Sequence, residues 1–368
     1  MREKITAHQF LSIMILIPFG SAVLFFLVPD EKQNIWIALL LYSAFDLILQ
    51  FIYTNLYKNF PGDTPVTYMP KIYGKILGSC ISMAYILYFL YLSGRVLRDF
   101  LELIQSFTLP RTPIILTGIL LTITITYGVY KGLENLGSLS EIFIIVILIS
   151  LAFLWVLTFI TGGILRTEHL LPILEDGFLP VAKNGWSLLS FPYGEFIITT
   201  MFYPYVLQQN KIRKACFLGC ISEGLILAIN NILFIVTLGV FFASVNNFPL
   251  LESLRLVRIG EFISRLDILF IILLLECGFF KISLTLYASI LGAVQLFNIN
   301  KHWGLICILF GILMLTTSLS IATNYPEHIK IGLDIIINKI NLPLQVYIPT
   351  FTFLFLNFKK LLHLKKNT

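Results

Sequence analysis

Charge is what this 368-residue sequence has least of: charged residues make up 12% of it and hydrophobic residues 57%. A soluble domain of that composition lacks the polar surface to cover its core, so the chain reads as a polytopic helical membrane protein. Enzyme chemistry is also thinly provided for. The five histidines, His8, His169, His302, His328 and His363, are scattered without metal-ligand spacing, and no phosphate-binding glycine loop or nucleophile elbow is present. Cys80, Cys277 and Cys307 are isolated, and Cys216 and Cys220, one helical turn apart in an apolar run, read as small-residue packing. An enzyme is therefore not expected, nor is any metal or cofactor. A small-residue cleavage pattern is missing after the first apolar run, so that run is expected to remain as a span. The net charge of +6 is accounted for by topology and anionic lipid, and nucleic acid is not implied.

What the sequence has in abundance is apolar runs of about 20 residues, the length that crosses a bilayer. Ten are expected, at roughly 8–28, 34–57, 76–106, 113–130, 138–162, 186–207, 214–243, 263–294, 302–324 and 344–362. Lys58, Lys71, Lys75, Lys211, Arg213, Lys214, Lys359 and Lys360 fall on the side that also holds both termini. The positive-inside rule then makes the termini cytoplasmic, with Arg255, Arg258 and Arg265 as the counter-signal. Ten spans divide into two sets of five, and an odd number per set makes the second set cross in the opposite sense. The expected fold is all-α, a single membrane domain over residues 1–368 with inverted five-helix repeats at about 8–162 and 186–362, as in LeuT-like amino-acid permease folds.

Two strings give this architecture a focus. Pro18-Phe19-Gly20-Ser21 and Pro192-Tyr193-Gly194-Glu195 lie near the middle of spans one and six, the first span of each half. Proline removes a backbone donor and glycine abandons helical order, so both spans are expected to break there. Matched breaks in two halves point to a midplane binding site. The outer half of span one is expected to start near Gly20 and Ser21, presenting free N–H groups and a positive helix end to a carboxylate. The outer half of span six is expected to end near Ser190 and Phe191, with carbonyls suited to an ammonium. Glu195 would lie in the first turn of the inner half.

A carboxyl near the bilayer centre costs about 2.5–3.5 kcal/mol on insertion scales, so Glu195 needs a reason. It binds an ammonium, exchanges a proton, pairs within the protein, or stabilises the start of its half-helix. Glu276, central in span eight, is a further candidate; Lys281, five residues on, is too far for a neighbouring helical pair. Tyr85 and Tyr88 share a face of span three and are candidates to close over a ligand, with Tyr91 nearby, although packing in an aromatic-rich bundle is the simpler account of them. Asp46 with Gln50, and Glu223 with Asn230 and Asn231, read as interhelical hydrogen-bonding groups. Arg95 with Asp99 and Arg98 with Glu102 have i,i+4 spacing near the outer end of span three, where a solvated or partner-facing extension is expected.

The loops add a resemblance. Phe60-Pro61-Gly62-Asp63-Thr64 with Tyr68, Lys71, Gly74 and Lys75, the stretch Leu171-Pro172 through Phe178-Leu179-Pro180-Val181, and Phe248-Pro249-Leu250-Leu251-Glu252 leading through Ile259-Gly260-Glu261-Phe262 to Arg265-Leu266-Asp267 together resemble the GerAB-type spore germination family. The resemblance covers essentially the full length. It implies a B subunit of a nutrient germinant receptor in the inner membrane of a bacterial spore, related to amino-acid permeases. Such a subunit detects a small germinant, an amino acid foremost, and signals with A and C subunits. Relatives look glycine-rich where this chain has the ring of Phe19. The alternative is a working proton- or sodium-coupled amino-acid transporter. The ligand-binding set expected on either reading is Pro18, Phe19, Gly20, Ser21, Tyr85, Tyr88, Phe191, Tyr193, Gly194, Glu195 and Glu276.

Overall fold

A computed structural model describes residues 3–161, 164–256, 266–299 and 301–366. Arg258, Ile259-Gly260-Glu261-Phe262 and Arg265 lie outside the described residues, as do the side chains of Leu266 and Asp267.

The described chain is helical, with one isolated two-residue bridge between Ile5 and Val206. In order come α1 (Ala7–Ala22), α2 (Ile35–Asn59), α3 (Pro65–Tyr73), α4 (Lys75–Phe107), α5 (Ile114–Tyr130), α6 (Leu133–Ile160) and α7 (Phe178–Asn184). Tight 3-10 turns follow at Gly185–Leu189 and Tyr193–Met201, then α8 (Ile212–Val245), α9 (Pro249–Leu256), α10 (Leu266–Phe297), α11 (Trp303–Ser320) and α12 (Tyr325–Lys330). Wide π-helical turns at Ile331–Asn341 and Pro343–Tyr347 lead into α13 (Ile348–Lys366).

By length and composition six described helices are able to cross a membrane, Pro29–Asn59, Lys75–Phe107, Leu133–Ile160, Gln209–Val245, Phe270–Phe297 and Trp303–Ser320, and Ala7–Ala22 and Ile114–Tyr130 are shorter apolar helices. The sixth and tenth expected spans are instead assembled from short turns and, for the tenth, α13. Ile142, Ile145, Ile149, Phe153, Val156 and Ile160 of α6 are all exposed, an apolar face that only a lipid surround makes favourable. The protein is a multi-pass membrane protein.

Helix α1 is the axis. It is buried from Phe10 onward apart from Leu11 and packs against α6, α8 and α10. Its start is fixed by a reciprocal cap in which Thr6 Oγ1 accepts from Gln9 N at 3.1 Å and Gln9 Oε1 accepts from Thr6 N at 2.9 Å. Just before the cap, Ile5 N donates to Tyr205 O at 2.9 Å and Leu207 N to Ile5 O at 2.8 Å, tying the entry of α1 to the exit of the interrupted sixth span. Thr6→Ala should therefore lower stability by about 0.5–2 kcal/mol, measurable as a lower unfolding midpoint of the purified protein.

The first expected break is displaced. Pro18 removes only one backbone hydrogen bond, and α1 continues through Phe19, Gly20 and Ser21 to Ala22. Beyond it Leu24 N bonds Ser21 O at 3.1 Å and Phe25 N bonds Ala22 O at 3.4 Å, a pair of turns and not a new half-helix. The expected positive helix start at Gly20–Ser21 is thus replaced by the negative C-terminal end of α1. The second break falls where expected, between Leu189 and Tyr193, with Glu195 in the first turn of the segment that follows.

Other expectations are corrected by packing. Gln50 Nε2 bonds Asp46 at 3.1 and 3.3 Å within α2, and the interhelical partner of Asp46 is Cys220 of α8. The α2–α8 seam is also joined by Ser43 Oγ to Cys220 O and Cys220 Sγ to Ser43 O, both 3.2 Å. Asn230 does link helices, accepting from Trp155 Nε1 at 2.9 Å, whereas Asn231 donates to Leu227 O of its own helix. The loop after Phe60 contains α3, where Lys71 pairs with Asp63 at 2.6 Å.

Candidate functional site

A cavity of about 520 Å³ lies toward the end of the bundle away from Ile5 and the start of α1. Ser21 at the end of α1, Phe191 at the second break and Glu195 just past it line it, and Tyr91 and Arg95 of α4 and Asn341 of the π-helical segment line its sides. Tyr91, Arg95 and Asp99 share one face of α4 by their i,i+4 spacing, and all three border the cavity. The Arg95–Asp99 spacing was legible in the sequence but was read as a solvated or partner-facing extension.

Charge is the telling feature of the floor. Lys281 of α10 is fully buried, and its ammonium donates to Ser21 Oγ at 2.5 Å and to the carboxylate of Glu195. The same nitrogen lies 5.5 Å from the centre of the Phe191 ring. The cation therefore sits against the C-terminal end of α1, a carboxylate, a hydroxyl and a ring face, all of which favour positive charge. Breaking such a buried pair from one side costs about 3–5 kcal/mol, so the floor is held closed strongly. Of the roles open to Glu195, pairing within the protein is the one seen.

Gly20 makes the approach of α1 to α10 possible. A Cβ on it would lie 2.6 Å from Lys281 Cβ and 2.8 Å from Cys277 O, closer than any packed atoms tolerate. Gly194 plays the same part for the π-helical turn: a Cβ there would meet Gln345 Oε1 at 2.4 Å and Leu189 O at 2.6 Å. Tyr85 and Tyr88 also converge on that turn, Tyr85 OH donating to Leu344 O and Gln345 Nε2 donating to Tyr88 OH, both at 2.7 Å. Tyr193 OH donates to Leu39 O at 2.7 Å.

Of the expected ligand-binding set, Ser21, Phe191 and Glu195 border the cavity. Pro18, Phe19 and Tyr193 are buried in the core, Gly20 and Gly194 set helix spacing, and Tyr85 and Tyr88 hold the 343–347 turn. Glu276 is half-buried and apart from the cavity lining. Lys281, Arg95, Tyr91 and Asn341 were missed as site residues. A lysine inside an apolar run was the available signal for the first of them.

The upper wall is a second polar cluster. Arg95 Nη1 donates to His328 O at 3.0 Å, and His328 Nε2 lies 2.9 Å from Asp99 Oδ1. Asp99 thus pairs with His328 and not with Arg95, while Arg98 pairs with Glu102 at 2.7 Å as its spacing implies. Arg98, Asp99 and His328 are buried, so this end of α4 is packed, not solvated. The His328 ring stacks on Tyr325 at 5.7 Å, and Tyr325 stacks on Phe248 at 5.5 Å, which places the Phe248-Pro249 loop over the cluster.

Comparison with known proteins bears on the family and the fold. The profile of the spore germination protein family matches residues 4–326. The chain is 32% identical to spore germination protein KB of Bacillus subtilis (strain 168), over 98% of this chain and 96% of that one. It is 26% identical to spore germination protein XB of Bacillus anthracis, over 71% and 72%. Among solved structures it superposes on a nucleobase-cation-symport-1 family transporter, closed with bromovinylhydantoin bound, with a TM-score of 0.65 and 12% identity, covering 90% of this chain and 75% of that one. A substrate-bound, outward-open Na+-coupled sialic acid symporter gives a TM-score of 0.64 and 13% identity, covering 92% and 77%. Both share the LeuT-type fold, and both are transporters, not enzymes. From its loops, its fold and its full-length likeness to germination proteins, the chain belongs to the spore germination protein family.

Proposed function

We propose that the chain is the membrane B subunit of a nutrient germinant receptor in the inner spore membrane, its termini cytoplasmic, and that it detects a small germinant and signals with A and C subunits. The observation that carries this reading is the cavity of about 520 Å³ at the junction of α1 and the interrupted sixth span. Its volume is within the range of small-molecule sites, about 300–1,000 Å³. Its lining offers the Arg95 guanidinium to a carboxylate, the Asn341 amide to polar groups and the Phe191 ring to an apolar part. An amino acid matches that set, and Glu195 is where its arrival would be felt, since any group entering the floor competes with Lys281 for that carboxylate.

Spores carrying Glu195→Gln should respond to the cognate nutrient only at higher concentration, with receptor amount in the membrane matched by immunoblot. A dose–response curve superposable on the parent would remove Glu195 from the site. The transporter reading differs in one measurable respect: concentrative uptake of a labelled amino acid by purified protein in liposomes would favour it over a pure sensor.

A further inference from the structure

The tenth expected span contains Pro343 and Pro349 and runs without interruption from α12 through the two wide segments into α13. Leu342 N donates to Ile337 O and Ile348 N to Pro343 O, each five residues back instead of the four of an α-helix. Turns of this kind are mostly single in proteins and are frequent at functional sites. Here they extend over eleven and then five residues, so they call for holds from outside the segment.

Such holds are present at both ends. At the α12 end, Arg95 Nη1 donates to His328 O at 3.0 Å, and the guanidinium lies so close over Gly332 that a Cβ there would be 1.9 Å from Arg95 Cζ. A side chain bonded to a helix carbonyl competes with the ladder bond to that carbonyl and opens the turn. At the α13 end, Tyr53 OH of α2 donates to Gln345 O at 2.5 Å, and Tyr85 OH of α4 donates to Leu344 O at 2.7 Å. Those two carbonyls are the ones that Pro349 deprives, because it has no N–H to give. Counted five back, its missing donor orphans Leu344 O; counted four back, it orphans Gln345 O. One hydroxyl therefore serves the wide register and the other serves the α register. Between the two holds, Gly332, Leu333, Ile337 and Asn341 line the cavity, and Gln345 packs on Gly194 of the interrupted sixth span.

We infer that residues 331–347 are a two-register switch that turns occupancy of the cavity into motion. With Arg95 on His328 O the segment is wide. When an anionic group in the cavity draws the guanidinium off that carbonyl, the α12 end is released and the segment narrows to α turns. The orphan of Pro349 then passes from Leu344 O to Gln345 O, where the Tyr53 hydroxyl is already bonded, so no buried carbonyl is left bare. A ligand shifts this equilibrium because it binds a guanidinium that only the narrow register leaves free. Narrowing lengthens and turns the segment, which moves His328 and Tyr325 and, through their ring stack, Phe248. The trigger rests on the proposed detection of a small ligand in this cavity; the two registers do not.

Pulsed electron paramagnetic resonance on the full chain in lipid nanodiscs tests this, with nitroxides at Lys330 and Phe351, both exposed and on either side of the segment. Cys80, the exposed thiol, is first replaced by serine. The parent should give a short distance. Arg95→Met and Gly332→Ala, which take the guanidinium off His328 O, should each add a longer-distance population. Tyr85→Phe removes the hydroxyl that the wide register needs and should raise the ratio of long to short about fivefold or more, the equivalent of one unpaired buried carbonyl. Tyr53→Phe removes the hydroxyl that the α register needs, and in the Arg95→Met background it should lower that ratio. These tyrosine variants keep the ring and its packing, so they stand if Gly332→Ala folds poorly. Parent-like distances in Arg95→Met and Tyr85→Phe, or shifts of the same sign from Tyr85→Phe and Tyr53→Phe, overturn the switch. No ligand enters the measurement, so a parent-like dose–response in Glu195→Gln spores would count against the detection site and leave this result unaffected.

Discussion

Lys281→Met is expected to destabilise the protein by about 3–5 kcal/mol, a large fraction of what a native membrane domain has to lose. The reason is not packing. Methionine is close to lysine in length and apolar, so it suits a site with no exposed surface. What is lost is the partner of Glu195, which is left buried beside the C-terminal end of α1, where negative charge is disfavoured. Thermal unfolding of purified Lys281→Met, Glu195→Met and the double variant in one detergent gives the cycle. The double variant should recover most of the single-variant loss, because removing both charges leaves nothing unpaired. Strictly additive losses would show that the two side chains are not energetically coupled.

The second large effect is expected at Gly20. Two tendencies oppose each other there. Glycine inside a helix costs about 0.5–1 kcal/mol relative to alanine, so Gly20→Ala should help α1 in isolation. Against that, the new methyl would sit 2.6 Å from Lys281 Cβ and 2.8 Å from Cys277 O, one the root of a side chain and the other backbone, neither able to swing aside. Overpacking costs typically about 1–3 kcal/mol, so the clash wins and the substitution destabilises. Gly20→Val should be worse again, since its branched side chain is stiffer and larger. Forcing α1 from α10 also lengthens the Ser21–Lys281 bond, so ligand response should fall along with the unfolding midpoint. An unfolding midpoint raised in Gly20→Ala would show that helix propensity governs this position and that the two helices do not meet there.

Both expectations concern a contact that links segments far apart in the chain, and this separates what was readable early from what was not. The Pro192-Tyr193-Gly194 break was readable because proline and glycine act on their own backbone. The break at Pro18 was misplaced because a single missing N–H is tolerated where α6, α8 and α10 pack around α1. Tyr91, Arg95 and Asp99 were readable as one helical face, but their surroundings were not. His328, which takes Asp99 away from Arg95, arrives from a segment 229 residues later. Tyr85 and Tyr88 looked like ligand contacts because their spacing is right, yet the 343–347 turn takes up both hydroxyls.

Composition and apolar run length, which are sums over neighbouring residues, were enough to establish a helical membrane protein and the positions of its longer spans, and the local Pro192-Tyr193-Gly194 string added an interrupted sixth span carrying a carboxylate. Tertiary structure alone decided which end of α1 faces the site, and that the cation answering Glu195 is Lys281, 86 residues away. It also left Glu223, among the described residues, without a hydrogen-bond partner. Those outcomes depend on which helices pack together in three dimensions, and a charge buried in a membrane protein is defined by what crosses beside it, not by what precedes it in the chain.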